Sequence, residues 1–239
     1  MKKMFRMAAL LLPLCLILSG CGGNSGGDTT KTTDGGTTGT TVAAPTVDAT
    51  VVDLTAYFNK DAFSYCANPS DGNFDGLEAA EGEACYRADG ISVDQIYEGV
   101  PYKLGPLEDG KKNCIGAAGQ TITIEEPTAC TFVGILGAAT NGDYGDDFTI
   151  TYADGSTEDI FVYMIDWCDI SADYPVISVD HRHQDFNGDW EETAENNRTE
   201  FPPFVALYKM EVDSTKQVKS ITLPNERNIN VLAMSLVKE

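Results

Sequence analysis

The chain has 239 residues, with 37 acidic side chains against 16 basic ones, and its formal net charge is −21 at neutral pH. A surface this acidic repels phosphate backbones, so the composition argues against nucleic acid as a partner. Clustered carboxylates are held together at lower cost around a metal, so a divalent cation such as Ca²⁺ is compatible with this charge. Solubility alone accounts for most of the acidity.

The first 20 residues predict an export signal. Lys2, Lys3 and Arg6 precede an apolar run over 7–18 that is shorter than the ~20 residues of a permanent membrane span. A charged start, a short apolar stretch and small residues after it are typical of a cleaved signal peptide. Cleavage would remove three positive charges and lower the net charge from −21 to −24.

The end of this signal carries a second pattern, Leu18-Ser19-Gly20-Cys21. It resembles the lipobox of bacterial lipoproteins, and the alternative is an ordinary secretory signal with a chance cysteine. The resemblance implies that Cys21 is acylated, becomes the first mature residue and anchors the protein to a lipid bilayer outside the cytoplasm. Gly22, in place of an aspartate, favours the outer membrane or cell surface in an organism with two membranes.

Residues 21–47 are predicted to be a flexible tether. Beyond Cys21 they are mostly Gly, Thr, Ser, Asp, Ala and Pro, without an aromatic residue, and cannot bury enough apolar surface to fold. The remaining residues, 48–239, contain no second linker and no internal repeat, and they are numerous enough for one domain with a core.

The domain shows the pattern of short strands separated by turns. Asp154-Gly155 between two alternating segments is a strong hairpin signal. Residues 60–90 and the Asn-Gly-rich connection that carries Asp143, Tyr144, Asp146 and Asp147 are predicted to be loops. The pattern predicts an all-β domain, a β-sandwich or jelly roll of two layers, with a barrel as the alternative. The predicted strands cover residues 51–54, 120–125, 130–136, 148–152, 159–167, 176–179, 204–212, 218–223 and 230–237.

Several segments together resemble a known family. They are 52–54, 71–76, 119–122, the string GAATNGDYGDDFTITYADGSTEDI at 137–160, Asp166-Trp167-Cys168, and SITLPNERNINVLAMSLV at 220–237. They are similar to the galactose-binding-like jelly-roll modules of secreted glycoside hydrolases and other polysaccharide-acting proteins. The resemblance implies a galactose-binding-domain-like fold, which hosts carbohydrate binding, protein adhesion and structural roles alike. Residues 77–88 and 184–202 depart from the family's pattern.

The densest polar cluster follows a predicted strand. Sugars are bound by an aromatic face together with planar hydrogen-bonding groups, and this cluster offers both in one predicted loop. The alternative is a solvated loop whose tryptophan packs on its own domain. The candidate ligand-binding residues are His181, Arg182, His183, Asp185, Asn187 and Trp190. Trp167, by contrast, is predicted to be a core or rim residue.

A candidate calcium loop lies earlier in the chain. Asp71, Asn73 and Asp75, followed by Gly76, begin like an EF-hand loop, but position twelve is Gly82 rather than Glu. The alternative is an Asx-type turn in which these side chains bond local backbone amides.

Five cysteines remain beyond Cys21, and an exported domain meets an oxidising compartment. We expect a Cys66–Cys85 disulfide, and a pairing of Cys114 with Cys130 or Cys168 that leaves one thiol free.

No catalytic motif is apparent: residues 48–239 contain no GxSxG elbow, no HExxH and no phosphate loop. We therefore expect a non-catalytic, membrane-anchored domain that binds polysaccharide. The alternatives are a protein-binding adhesion or assembly module and, third, a small hydrolase or lyase.

Overall fold

The computed structural model describes residues 47–78, 83–168, 176–178, 182–186, 189–192 and 203–239. The described part consists mainly of strands in antiparallel sheets, with a single turn of 3-10 helix at Pro69–Asp71. The predicted all-β fold is therefore confirmed. None of the described residues belongs to a helix long and apolar enough to span a bilayer. The predicted signal peptide, Cys21 and all but the last residue of the predicted tether lie outside the described residues.

A central sheet is buried on both faces. Its three long strands, β8 (Phe132–Ala139), β14 (Phe204–Glu211) and β16 (Ile229–Lys238), bury side chains that point to either face of the sheet. The exceptions are Lys209, Glu211 and Lys238, which are exposed near the strand ends. Continuous apolar runs such as 130–136 are typical of strands covered on both sides. In spatial order the sheet contains β1 (Asp48–Val51), β16 (Ile229–Lys238), β8 (Phe132–Ala139), β14 (Phe204–Glu211) and β11 (Val176–Ser178), with β6 (Ile115–Gly116) also paired to β16.

A four-stranded sheet covers one face of the central sheet. Its inward residues, such as Ile122, Phe148, Ile150 and Ile221, are fully buried against alternate residues of β8, β14 and β16. Gly155, with φ +87°, makes the predicted hairpin turn. The strands of this sheet, in spatial order, are β10 (Thr157–Met164), β9 (Tyr144–Tyr152), β15 (Gln217–Thr222) and β7 (Thr121–Ala129).

A third layer, which the sequence pattern did not predict, covers the opposite face. It consists of a small sheet and a hairpin, and Tyr86, Tyr102 and Phe74 bury their rings beneath it. The prediction that 60–90 is entirely loop is wrong, because two of these strands fall within it. The small sheet contains β13 (Asp189–Glu192), β12 (Arg182–Phe186), β3 (Ala84–Arg87) and β2 (Phe63–Ser64), and the hairpin contains β4 (Asp94–Tyr97) and β5 (Val100–Lys103).

An aromatic cluster holds the third layer to the central sheet. The centroid of the Phe74 ring lies 4.6 Å from that of Tyr86 and 5.0 Å from that of Trp167. The Tyr86 and Trp167 rings meet edge to face, and such contacts contribute about 0.5–1.5 kcal/mol beyond their area. Trp167 is buried, as the sequence predicted.

The expected disulfides are not formed. Cys85, Cys114 and Cys130 are free thiols, so the predicted Cys66–Cys85 pair and the predicted pairing of Cys114 are wrong. Cys85 points into the third layer, where its Sγ lies 3.0 Å from Ser64 Oγ. Burial raises the pKa of the Cys85 and Cys114 thiols to about 12, which makes them unreactive.

Two buried tyrosines of the third layer differ in one hydrogen bond. Tyr86 Oη donates to Phe204 O at 2.7 Å, whereas Tyr102 Oη is buried without a hydrogen-bond partner among the described residues. Tyr102 lies above Gly134, where an added Cβ would be 2.3 Å from its hydroxyl oxygen.

We therefore expect opposite effects from the same substitution. Tyr102→Phe should raise the free energy of unfolding by about 1 kcal/mol, because it removes an unsatisfied buried hydroxyl. Tyr86→Phe should lower the free energy of unfolding by about 1 kcal/mol, because it leaves a buried carbonyl without its donor. Urea unfolding of both variants measures the difference, and equal effects would contradict it.

Candidate functional site

The predicted sugar-binding loop is a hairpin of the third layer. β12 and β13 pair with Asp185 opposite Trp190, and β12 also pairs with β3. His183 is 2% exposed, and its Nδ1 lies 2.6 Å from Ser64 Oγ, so it occupies a buried strand position rather than an exposed loop. Arg182 lies on β12, and His181 and Asn187 lie outside the described residues.

The predicted calcium residues bond to the backbone. Gly76 N donates to Asn73 Oδ1 at 2.7 Å, Leu77 N to Asp75 Oδ1 at 3.1 Å, and Gly110 N to Asp71 Oδ2 at 2.7 Å. The first two are bonds of the Asx-turn alternative. Within the part of the chain that the structure describes, no group of three His, Cys, Asp or Glu is arranged to hold a metal.

The four-stranded sheet presents two exposed aromatic rings. On β10, Val162 and Met164 point inward and are buried, whereas Phe161 is 64% exposed and Tyr163 is 50% exposed. Side chains alternate between the faces of a strand, so both rings lie on the outer face of the sheet. Two exposed aromatic rings at successive outward positions make this face a candidate binding surface.

Both rings can lie flat along the sheet because the neighbouring strand has a glycine, Gly145, beneath them. Gly145 pairs with Tyr163 across the ladder, and an added Cβ would be 2.5 Å from Phe161 Cζ and 3.1 Å from Tyr163 Cδ2. Both rings therefore extend over a position without a side chain. The hydroxyl of Tyr163 donates to Asp143 Oδ2 at 2.8 Å, which fixes the ring at its outer end.

A polar row crosses the same face next to the rings. The pairing register places Asp159, Thr149, Thr222 and Thr121 in one line across four strands. Thr149 donates to Asp159 Oδ1 at 2.7 Å, and the hydroxyls of Thr121 and Thr222 are 2.9 Å apart. We call Phe161, Tyr163 and this row the aromatic face.

The aromatic face combines two kinds of contact that sugars require. Aromatic rings pack against the apolar C–H faces of a pyranose, while carboxylate and hydroxyl oxygens bond its hydroxyl groups. Because the side chains project from regular strands, the surface is open. It therefore suits an extended oligosaccharide better than a single enclosed sugar.

A family comparison accords with this architecture. A family model described as the AziU2-like beta-sandwich domain matches residues 48–239. The chain belongs to this family. The match supports the predicted β-sandwich and does not extend to a relation with galactose-binding-like modules. No curated protein matches the chain.

Sequence reasoning missed the aromatic face, although a signal was present. In the segment 160–164, Ile160, Val162 and Met164 occupy one parity and Phe161 and Tyr163 the other, so both faces of β10 are apolar. An apolar strand at the edge of a sheet can be covered on both faces or exposed on one. Only the arrangement of layers, which covers one face of the four-stranded sheet and leaves Phe161 and Tyr163 exposed on the other, decides between these.

Asp61 lies near the predicted calcium loop and is half-buried. Burial raises the pKa of its carboxyl from 3.8 to about 6, against the opposing hydrogen bond from Asn113 Nδ2 to Asp61 Oδ1 at 2.8 Å. The folded protein therefore binds this proton more tightly than the unfolded chain does. The contribution to stability is full below pH 4 and is lost as the pH rises through 6.

Asp61→Asn should remove this loss. Between pH 4 and pH 7.5, the fall in the free energy of unfolding should be smaller in the variant by about 1–2 kcal/mol, after a discount for partial exposure. Urea unfolding at both pH values measures it, with Asp94→Asn on β4 as the control. An identical pH dependence in wild type and Asp61→Asn would contradict the assignment.

Proposed function

We propose that the chain is a membrane-anchored, extracytoplasmic lipoprotein whose β-sandwich domain binds carbohydrate without catalysis. Its ligand is a polysaccharide of the cell wall or the environment, and the anchor is the acylated Cys21. The observation that carries the proposal is the pair of exposed rings, Phe161 and Tyr163, beside a row of carboxylate and hydroxyl groups.

The acceptors on this face suit a neutral polyhydroxylated ligand. Asp143, Asp147 and Asp159 surround the rings and would repel phosphate and other polyanions. Carboxylates accept hydrogen bonds from sugar hydroxyls, and these charge-assisted bonds are roughly twice as strong as neutral ones. Threonine hydroxyls on the row can both donate and accept. The aromatic rings supply apolar area for the sugar to stack on, and the hydrogen bonds from the polar row orient the sugar.

The contacts within the face reduce the entropy lost on binding. Tyr163 is already bonded to Asp143, and Thr149 to Asp159, on strands of a packed sheet. Side chains that are ordered before binding cost less to immobilise, at about 0.5–1.5 kcal/mol for each flexible side chain. The hairpin of β12 and β13, which carries Trp190, stays a second candidate surface.

A protein-binding adhesion module is the alternative function, and one observation favours it. Among the described residues β10 is an end strand of its sheet, so the exposed rings on its outer face lie beside an edge that pairs with no further strand there. Such an edge can accept an added strand from another polypeptide.

A glycan array with a protein comprising residues 41–239, which form one compact unit, tests the proposal. Phe161→Ala and Tyr163→Ala should each weaken binding about tenfold or more, because stacking area is lost without disturbing the core. Ile96→Ala, at a 67% exposed side chain on β4, is the matched control and should bind like wild type.

Binding to no glycan, or wild-type affinity in both aromatic variants, would refute the proposed ligand class. Binding of a peptide that pairs with β10, in the absence of binding to any glycan, would instead favour the adhesion alternative.

The anchor has its own test. Cys21→Ser should move the protein from the membrane fraction to the soluble extracytoplasmic fraction, because a serine hydroxyl cannot form the thioether to diacylglycerol. Fractionation and intact mass measure this change, and membrane retention of the variant would contradict the lipid anchor.

A further inference from the structure

A cleft of about 460 Å³ lies at one end of the sandwich, apart from the aromatic face. This volume is within the ~300–1,000 Å³ of small-molecule sites. Segments from four parts of the chain line it, and the Lys60 side chain lies against Gly116, where an added Cβ would be 3.4 Å from Lys60 Cε. The lining residues used below are Lys60, Asp61, Asp75, Arg227 and Asn228.

Lys60 places a positive charge in the cleft, where the nearby carboxylate of Asp75 favours its charged form. Its Nζ donates to Asn230 Oδ1 at 2.6 Å and to Phe74 O at 3.0 Å, and both acceptors are neutral. Burial is the main cause that lowers the pKa of this ammonium group, and the nearby Arg227 contributes in the same direction.

Arg227 adds a second cation at the mouth of the cleft. Arg227 is exposed. Neither Arg227 nor Lys60 forms an ion pair within 4.0 Å with a carboxylate of the described residues. The guanidinium group of Arg227 is therefore available to an external anion at the mouth of the cleft.

The remaining polar groups decide which anion fits. Asp61 and Asp75 roughly balance the two cations, so a monoanion matches the cleft better than a phosphate dianion does. A guanidinium group binds a carboxylate through two parallel hydrogen bonds. The two carboxyls and the amide of Asn228 can bond hydroxyl groups of the same ligand.

We propose that this cleft binds a sugar acid of the hexuronate class. Its carboxylate lies between Lys60 and Arg227, and its hydroxyls bond Asp61, Asp75 and Asn228. The proposal stands on residues other than those of the aromatic face and does not depend on the proposed function.

Calorimetric titration of the protein comprising residues 41–239 tests it with three probes: glucuronate, glucose and inorganic phosphate. Glucuronate should bind, and glucose and phosphate should each bind about tenfold more weakly or not at all. Arg227→Gln should weaken glucuronate binding about tenfold or more, because the bidentate contact is lost. Lys219→Gln, at an exposed lysine on β15, is the matched control and should not change it.

Absence of glucuronate binding, equal affinity for glucose, or tighter binding of phosphate would overturn the proposal. So would unchanged affinity in Arg227→Gln, with folding verified by circular dichroism. Phe161→Ala should leave glucuronate binding intact, which keeps a failure at the aromatic face distinct from a failure here.

Discussion

Burial of the central sheet on both faces is the constraint on which the rest of the structure depends. Every residue of β8 is buried, so apolar side chains point both up and down from the same strand. Each face needs its own cover, since exposed apolar surface costs about 25 cal/mol per Å². The four-stranded sheet covers one face and the third layer covers the other, and each closes a separate core.

The outer face of the four-stranded sheet does not need to be covered by another layer. Its inner face already fills a core with Phe148, Ile150 and Ile221, so the outward positions are free of any packing role. The aromatic face occupies those positions, on strands held from below by the core. A sheet surface of this kind keeps its shape better than a loop does, because its backbone hydrogen bonds and buried face restrain every outward side chain.

The sequence pattern predicted the two principal sheets because their strands are long and strongly patterned. The hairpin at Asp154-Gly155 and the central run at 130–136 were both correct. The third layer was missed because β2 has two residues and β3 four, and β3 pairs with β12 in a segment distant in sequence. The expected disulfides failed for a related reason, since only tertiary structure shows Cys85 turned into a core.

The candidate sites were less predictable than the fold. Polar density in the sequence pointed to 181–191, where His183 is buried. Phe161 and Tyr163 were counted as part of a strand, because a period of two does not say which face meets solvent. Lys60 and Arg227 lie 167 positions apart in the chain and meet only through folding.

The turn between β8 and β9 joins two surfaces that were described separately. Asn141 Nδ2 donates to Asp75 O beside the Lys60 cleft, and two residues later Asp143 receives the Tyr163 hydroxyl. Asn141, with φ +62°, adopts a left-handed backbone that few residues tolerate. The short turn over 140–143 therefore supplies one hydrogen-bonding side chain beside each of the two surfaces.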